Sequence, residues 1–199
     1  MKSPHSLALA STSRYRQELL ARLRLPFTTH APGVDETREP GERPLALATR
    51  LALAKATTVA ARLPDAWVIG SDQVAVRLDL ASGEAVLGKP GTQQRCIEQL
   101  EACSSQTISY ITAVALVKHG QAPIELVDTT KVRFRPLDTA VIQRYVELEM
   151  PLDCAGGFKS EGLGIALCES IDSSDPSALI GLPLIRLSAA LRQVGFELP

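Results

Sequence analysis

Ala66-Trp67-Val68-Ile69-Gly70-Ser71-Asp72-Gln73 is the stretch whose reading decides the fold. Pro64-Asp65 stops whatever precedes it, and four apolar residues then read as a short buried strand. The strand runs straight into a glycine, a hydroxyl and a carboxylate. An acidic residue just past a buried strand, beside a glycine, sits where open α/β sheets hold their ligands. Upstream, Pro44 suits the first position of a long Ala/Leu-rich helix that reaches about Leu63.

The same alternation continues outward in both directions. Leu7–Ala10 is a second short buried strand, followed by Ser11-Thr12-Ser13 and a helix over Arg14–Arg24 with Tyr15, Leu19, Leu20 and Leu23 at helical spacing. Phe27–Ala31 forms another strand and ends in Pro32-Gly33-Val34-Asp35-Glu36. Thr37–Arg43 suits an exposed loop. Beyond Asp72, Val74–Leu78 and Ala85–Leu87 pair across a turn at Asp79–Gly83. Thr92 caps a helix to Cys103, and Asp138 caps another to Glu149. Between them lie strands Thr107–Lys118 and Ile124–Phe134. A glycine-rich loop (Ala155–Gly162), a strand at Ile165–Glu169 and a helix from Pro183 to Val194 close the chain. Interleaved strands and helices with one hairpin predict an α/β fold on a mixed sheet. No repeat, low-complexity run or linker divides the chain, so residues 1–199 are expected to form a single domain.

Composition narrows the function classes. The 199 residues carry 21 Lys+Arg against 22 Asp+Glu, a formal net charge of −1. That balance lacks the electrostatic footprint of a general nucleic-acid coat, and four Phe, three Tyr and one Trp leave little for base stacking. No stretch approaches a membrane span, and the apolar run Leu7–Ala10 is too short for a secretory signal. The expectation is a soluble cytoplasmic protein with no membrane or polymeric nucleic-acid partner. Cys96, Cys103, Cys154 and Cys168 are widely spaced, which argues against zinc and redox sites and for buried or half-buried thiols. His5, His30 and His119 are isolated and read as solvated or structural.

Gly83–Lys89 matches the spacing of a phosphate-binding loop, but Pro90 stands where that loop needs a metal-ligating hydroxyl. Ala85-Val86-Leu87 also reads as strand, so this match is discarded, although Lys89 can still meet a phosphate as a point charge.

Five other places carry chemistry. Ser11–Arg16 joins a strand end to a helix start, where free amides and the helix dipole attract anions and Arg14 and Arg16 add charge. Its alternative is a simple Ser/Thr cap with solvated arginines. Asp72 suits a divalent metal or a general base on water, against an Asx turn. Lys55 has Leu51, Ala52 and Val59 as helical neighbours, so it either snorkels to water or meets a buried anion. Glu36 stands at a predicted strand end and Glu161 in its glycine-rich loop, and each has an ordinary surface-loop reading. Taken together, carboxylates and cations at strand ends and helix starts suit a metal-bound polyphosphate.

The residues then resemble a known family nearly end to end. Leu9-Ala10-Ser11-Thr12-Ser13 with Arg16 and Glu18-Leu19-Leu20, Val34-Asp35-Glu36, Ala54-Lys55-Ala56, Ile69-Gly70-Ser71-Asp72-Gln73, Gly88-Lys89-Pro90 and Gly181-Leu182-Pro183-Leu184 occur in the order seen in Maf-family nucleoside triphosphate pyrophosphatases. Arg14 departs from the proline usual in the opening motif. Gln73 and the Cys154–Gly162 loop resemble the branch acting on 7-methyl-GTP, where the dTTP/UTP branch typically has Thr after the aspartate.

The resemblance implies a two-lobed α/β fold with a central cleft, similar to inosine triphosphatases, and frequent homodimers. It implies cleavage of nucleotide triphosphates to monophosphate and pyrophosphate, with Mg²⁺ or Mn²⁺ as divalent cofactor. The resemblance assigns Asp72 as proton acceptor and Tyr15, Gln73 and Glu161 to base selectivity. The residues' own chemistry suits Glu36 and Asp72 to the metal and Ser13, Arg16, Lys55 and Lys89 to the phosphates. The alternatives are a dTTP/UTP pyrophosphatase of the same family and a non-catalytic nucleotide-binding regulator of cell division.

Overall fold

The structure, a computed structural model, describes residues 6–79 and 83–199. His5 and the middle of the turn expected at Asp79–Gly83 lie outside the described residues. Among the described residues five α-helices alternate with seven strands, the α/β arrangement expected from the sequence. The elements are β1 (Ser6–Leu9), α1 (Arg14–Ala21), β2 (Thr28–Thr29), α2 (Pro44–Ala60), β3 (Ala66–Asp79), β4 (Gly83–Leu87) and α3 (Gln93–Cys103), then β5 (Thr107–Val117), β6 (Ile124–Phe134), α4 (Thr139–Glu149), β7 (Cys168–Asp172) and α5 (Leu184–Gln193). The sheet order is β2-β1-β3-β5-β6-β7, with β4 paired to β3. β1 runs parallel to β2 and β3, whereas β3/β4 and β6/β7 are antiparallel, so the sheet is mixed.

Local signals placed most helix starts. Pro44 opens α2, the Thr92 hydroxyl accepts the Arg95 amide, and Asp138 accepts the Val141 amide at 2.8 Å. β4 contains Ala85-Val86-Leu87 paired with β3, which confirms that Gly83–Lys89 is no phosphate loop. α1 is shorter than its hydrophobic spacing suggests. It stops at Ala21, and the Leu23 and Arg24 amides close on carbonyls three residues back.

Two strand expectations are corrected as well. The strand begun at Ala66 does not end at Ile69; β3 runs on through Gly70–Gln73 to Asp79. Gly70 makes this possible, because a Cβ there would strike the Ala52 carbonyl and the Ala56 amide of α2. The strand expected at Ile165–Glu169 begins instead at Cys168, and 163–167 form a tight 3-10 turn. The Lys159 carbonyl accepts the amides of both Gly162 and Gly164, which winds this segment too tightly for a strand.

The chain groups into two compact units. The first comprises residues 1–72, 112–128 and 175–199. Leu9, Leu20, Ile69, Leu116, Leu182 and Leu187 lie at its core, bringing β1, α1, β3, β5 and α5 together. The second comprises 73–111 and 129–174. Its core includes Phe158, whose ring packs 5.7 Å from Tyr110 and 5.2 Å edge-on from Phe134. β3, β5 and β6 each contribute to both units. Cys96 and Cys103 are buried and their thiols are pushed up to about 11 and about 12 by desolvation. Cys154 and Cys168 are half-buried. No helix among the described residues is long and apolar enough to cross a membrane.

Candidate functional site

Strand geometry explains the centre of the first unit. Successive strand residues face opposite sides, so Asp72 shares the face of Gly70, which is pressed against α2. Lys55 lies on the same stretch of α2 as Ala52 and Ala56. Its Nζ donates to Asp72 Oδ1 at 2.7 Å and pairs with Glu36 Oε1 at 2.7 Å. Lys55 is 4% exposed and Asp72 8%, whereas the Glu36 side chain is 53% exposed. Of the two outcomes open for Lys55, it takes the buried anion.

Ser71 faces the other way. Its hydroxyl donates to the Gly181 carbonyl at 2.8 Å, and Arg16 Nε donates to the same oxygen at 3.3 Å. Burial lowers the Arg16 guanidinium below its ordinary range, while the charges of Asp72 and Glu36 act to raise it. Arg16 is half-buried. Ser13 caps α1 by accepting the Arg16 amide, and its own amide donates to Ser11 Oγ at 3.0 Å. The cap therefore exists as the simpler reading proposed, and Arg16 is tied down beside it rather than solvated. Arg14, in the first helical position, is exposed and pairs with Glu18 at 2.8 Å.

Glu36 is carried by a braced loop. Arg50, on α2, donates from Nε and Nη2 to the Glu42 carboxylate at 2.6 and 2.8 Å and from Nη2 to the Thr37 carbonyl at 3.1 Å. The Arg50 fork holds the Glu42 carboxyl down at about 2. The Asp175 carboxylate, 1% exposed, accepts the amides of Ser177, Ile185 and Arg186 and the Ser177 hydroxyl, fixing the segment that presents Gly181. The sequence reading missed Ser71, Arg50, Glu42 and Asp175. Their signals were faint: a Ser inside a strand, a charge pair eight apart, and Ser-Asp-Pro-Ser before the last helix.

The first unit thus brings together Ser13, Arg16, Glu36, Lys55 and Asp72, with Tyr15 on the same short helix. Gln73, Lys89 and Glu161 belong to the second unit. Gln73 follows Asp72 in β3 and is half-buried, while Lys89 and Glu161 are exposed. Glu161 stands on the tight turn after Lys159.

Among the described residues, no group of three or more His, Cys, Asp and Glu gathers as a metal cage. Asp72 and Glu36 nevertheless fit a divalent cation that also takes phosphate oxygens. They are two hard oxygen donors, close enough that a single ammonium already bridges them. Mg²⁺ is ordinarily bound through one or two carboxylates plus substrate phosphates.

A family profile described as Maf-like protein matches residues 6–194. The 7-methyl-GTP pyrophosphatase of Xanthomonas axonopodis pv. citri is 56% identical over 193 residues, covering 97% of this chain and 98% of that protein. The 7-methyl-GTP pyrophosphatase of Nitrosococcus oceani is 50% identical over 196 residues, covering 98% of this chain and 96% of that protein. Among solved structures, the Staphylococcus aureus Ham1 protein is similar at a TM-score of 0.48 with 14% identity, over 65% of this chain and 71% of that one.

Proposed function

From the premise that the chain belongs to the Maf-like protein family, we propose that it is a nucleoside triphosphate pyrophosphatase converting 7-methyl-GTP to 7-methyl-GMP and pyrophosphate. It is a hydrolase acting on an acid anhydride, and it clears modified nucleotides from the cytoplasmic pool. The observation that carries the chemistry is the near-buried Asp72, held with Glu36 by one buried lysine beside Arg16.

Asp72 orients the attacking water and accepts its proton through a carboxylate oxygen. The water oxygen bonds to the α-phosphorus, the bond from that phosphorus to the bridging oxygen breaks, and its electron pair leaves on pyrophosphate. Two of the three Lys55 donors already serve carboxylates, which leaves one for a phosphate oxygen. Arg16 is aimed by its bond to Gly181, so its remaining donors meet developing phosphate charge without reorganisation. Ser13 and Lys89 complete the phosphate contacts. Mg²⁺ or Mn²⁺, held by Glu36 and Asp72, would neutralise polyphosphate charge when bound.

The base is read by charge. A 7-methylguanine ring is cationic, and its N1–H and amino edge are stronger donors than those of guanine. Glu161 accepts from that edge and balances the charge, Tyr15 stacks on the ring, and Gln73 completes the choice. The active protein is a homodimer.

Pyrophosphate release from 7-methyl-GTP, GTP, dTTP, UTP and CTP, with Mg²⁺, Mn²⁺ or chelator, tests the whole reading. Metal-dependent turnover fastest on 7-methyl-GTP is expected. Preference for dTTP or UTP would discard the base assignment. Nucleotide binding without pyrophosphate release would favour a non-catalytic regulator.

A further inference from the structure

The turn that carries Glu161 is held from below by α4. Tyr145 and Glu149 are one helical turn apart, so they share a face. The Tyr145 hydroxyl donates to the Gly157 carbonyl at 3.3 Å and accepts the Lys159 amide at 3.0 Å. One Glu149 oxygen takes Lys159 Nζ at 2.6 Å, and the other takes the Leu163 amide at 2.7 Å. The two ends of the Ser160-Glu161-Gly162 apex are therefore gripped by a single carboxylate. Gly162 lies so close to that carboxylate that a Cβ there would overlap it. The Glu149 side chain is only 12% exposed, and its carboxyl is held below the ordinary range, first by Lys159 and then by the Leu163 amide.

Glu161 itself has little to place it. Its side chain is exposed and accepts a long 3.4 Å hydrogen bond from the Ser160 hydroxyl. Its position is thus set by the backbone of the turn, and the turn is set by α4. An exposed carboxylate can discriminate one base edge from another only if it is held in place beforehand.

We propose that Glu149, seconded by Tyr145, is a positioning residue for base selectivity: it fixes the Lys159–Gly164 turn so that the Glu161 carboxylate meets a cationic purine edge. This rests on the reading in which Glu161 contacts the base. Neither α4 residue touches the nucleotide.

The test compares kcat and KM for 7-methyl-GTP and GTP in the full-length metal-loaded enzyme and in Glu149→Ala, Glu149→Gln, Tyr145→Phe and Glu161→Gln. Glu149→Ala is expected to cut the 7-methyl-GTP to GTP ratio of kcat/KM by about tenfold, the scale of one charge-assisted hydrogen bond. The loss should appear in KM for 7-methyl-GTP, with kcat on GTP held within about twofold, since a general loss of fold would lower kcat on both substrates. Glu149→Gln keeps the size and one acceptor, so it should lose less, and it serves if the alanine variant does not fold. Tyr145→Phe should shift the ratio in the same direction. Amide exchange at Leu163 and Gly164 should quicken in Glu149→Ala, a readout independent of activity.

An unchanged ratio in both Glu149 variants, with Glu161→Gln losing it, would overturn this inference and leave the Glu161 reading standing. An unchanged ratio in Glu161→Gln would overturn both. Unchanged amide exchange in Glu149→Ala would overturn the grip on the turn.

Discussion

Replacing Lys55 by Met removes an ammonium from a site that is 4% exposed and leaves the carbon stem in place. Asp72, 8% exposed, then loses the donor 2.7 Å from its Oδ1. Breaking a buried ion pair from one side typically costs about 3–5 kcal/mol, because the surviving charge has no compensation. The Arg16 charge still acts on Asp72, and the half-exposed Glu36 can turn to water, so the lower end applies. A loss of about 3 kcal/mol in a chain of this size corresponds to a fall in Tm of roughly 6–12 °C. Urea unfolding with linear extrapolation measures it directly. The decisive comparison is the double variant Lys55→Met/Asp72→Asn. Removing the stranded charge should return much of the lost stability, so the double variant should be more stable than Lys55→Met alone. A single variant within about 0.5 kcal/mol of wild type, the scatter of an ordinary surface substitution, would refute the buried pair. So would a double variant in which the two losses simply add.

Three further outcomes follow from the same geometry. Gly70→Ala drives a Cβ into the α2 backbone at Ala52 and Ala56; it should destabilise by about 1–3 kcal/mol in urea melts and lower kcat by shifting Lys55. Neutral stability for that variant would mean β3 and α2 are not in such close contact. The Glu42 carboxyl is held down at about 2 by Arg50 against an ordinary 4.5, so its contribution is complete above about pH 4.5 and fades as pH falls toward 2. The stability gap between wild type and Glu42→Gln should therefore close on acidification, and a gap that widened would contradict the Arg50 fork. Chelator should abolish pyrophosphate release while leaving the melting temperature of the nucleotide-free protein unchanged, because in the proposed mechanism Glu36 and Asp72 share the metal with substrate phosphates; a large drop in Tm would point to a structural metal.

The helices were legible because their signals are local. Pro44, Thr92 and Asp138 each announce a helix start within a few residues. β3 was misjudged because its continuation depends on a partner distant in sequence. A glycine and an aspartate look like a strand end until α2 is seen lying on Gly70. The turn at 163–167 was missed for a similar reason, since the Lys159 carbonyl and the Glu149 carboxylate organise it, not the apolar residues within it. In the site, residue types were readable but partners were not. Asp72, Glu36 and Lys55 stood out as charges in unusual company, yet only the fold shows that one lysine joins both carboxylates. Ser71 and Asp175 act through a main-chain carbonyl and main-chain amides, which side-chain chemistry does not advertise.

Single-turnover hydrolysis of 7-methyl-GTP by Asp72→Asn, with nucleotide affinity measured in parallel, addresses the chemistry most directly. The substitution keeps the shape and removes the proton acceptor. The rate should fall by about 10²–10⁴, the usual contribution of a general base, while nucleotide still binds. A variant that binds 7-methyl-GTP and turns it over at a near-normal rate would show that the carboxylate held by Lys55 is not the base.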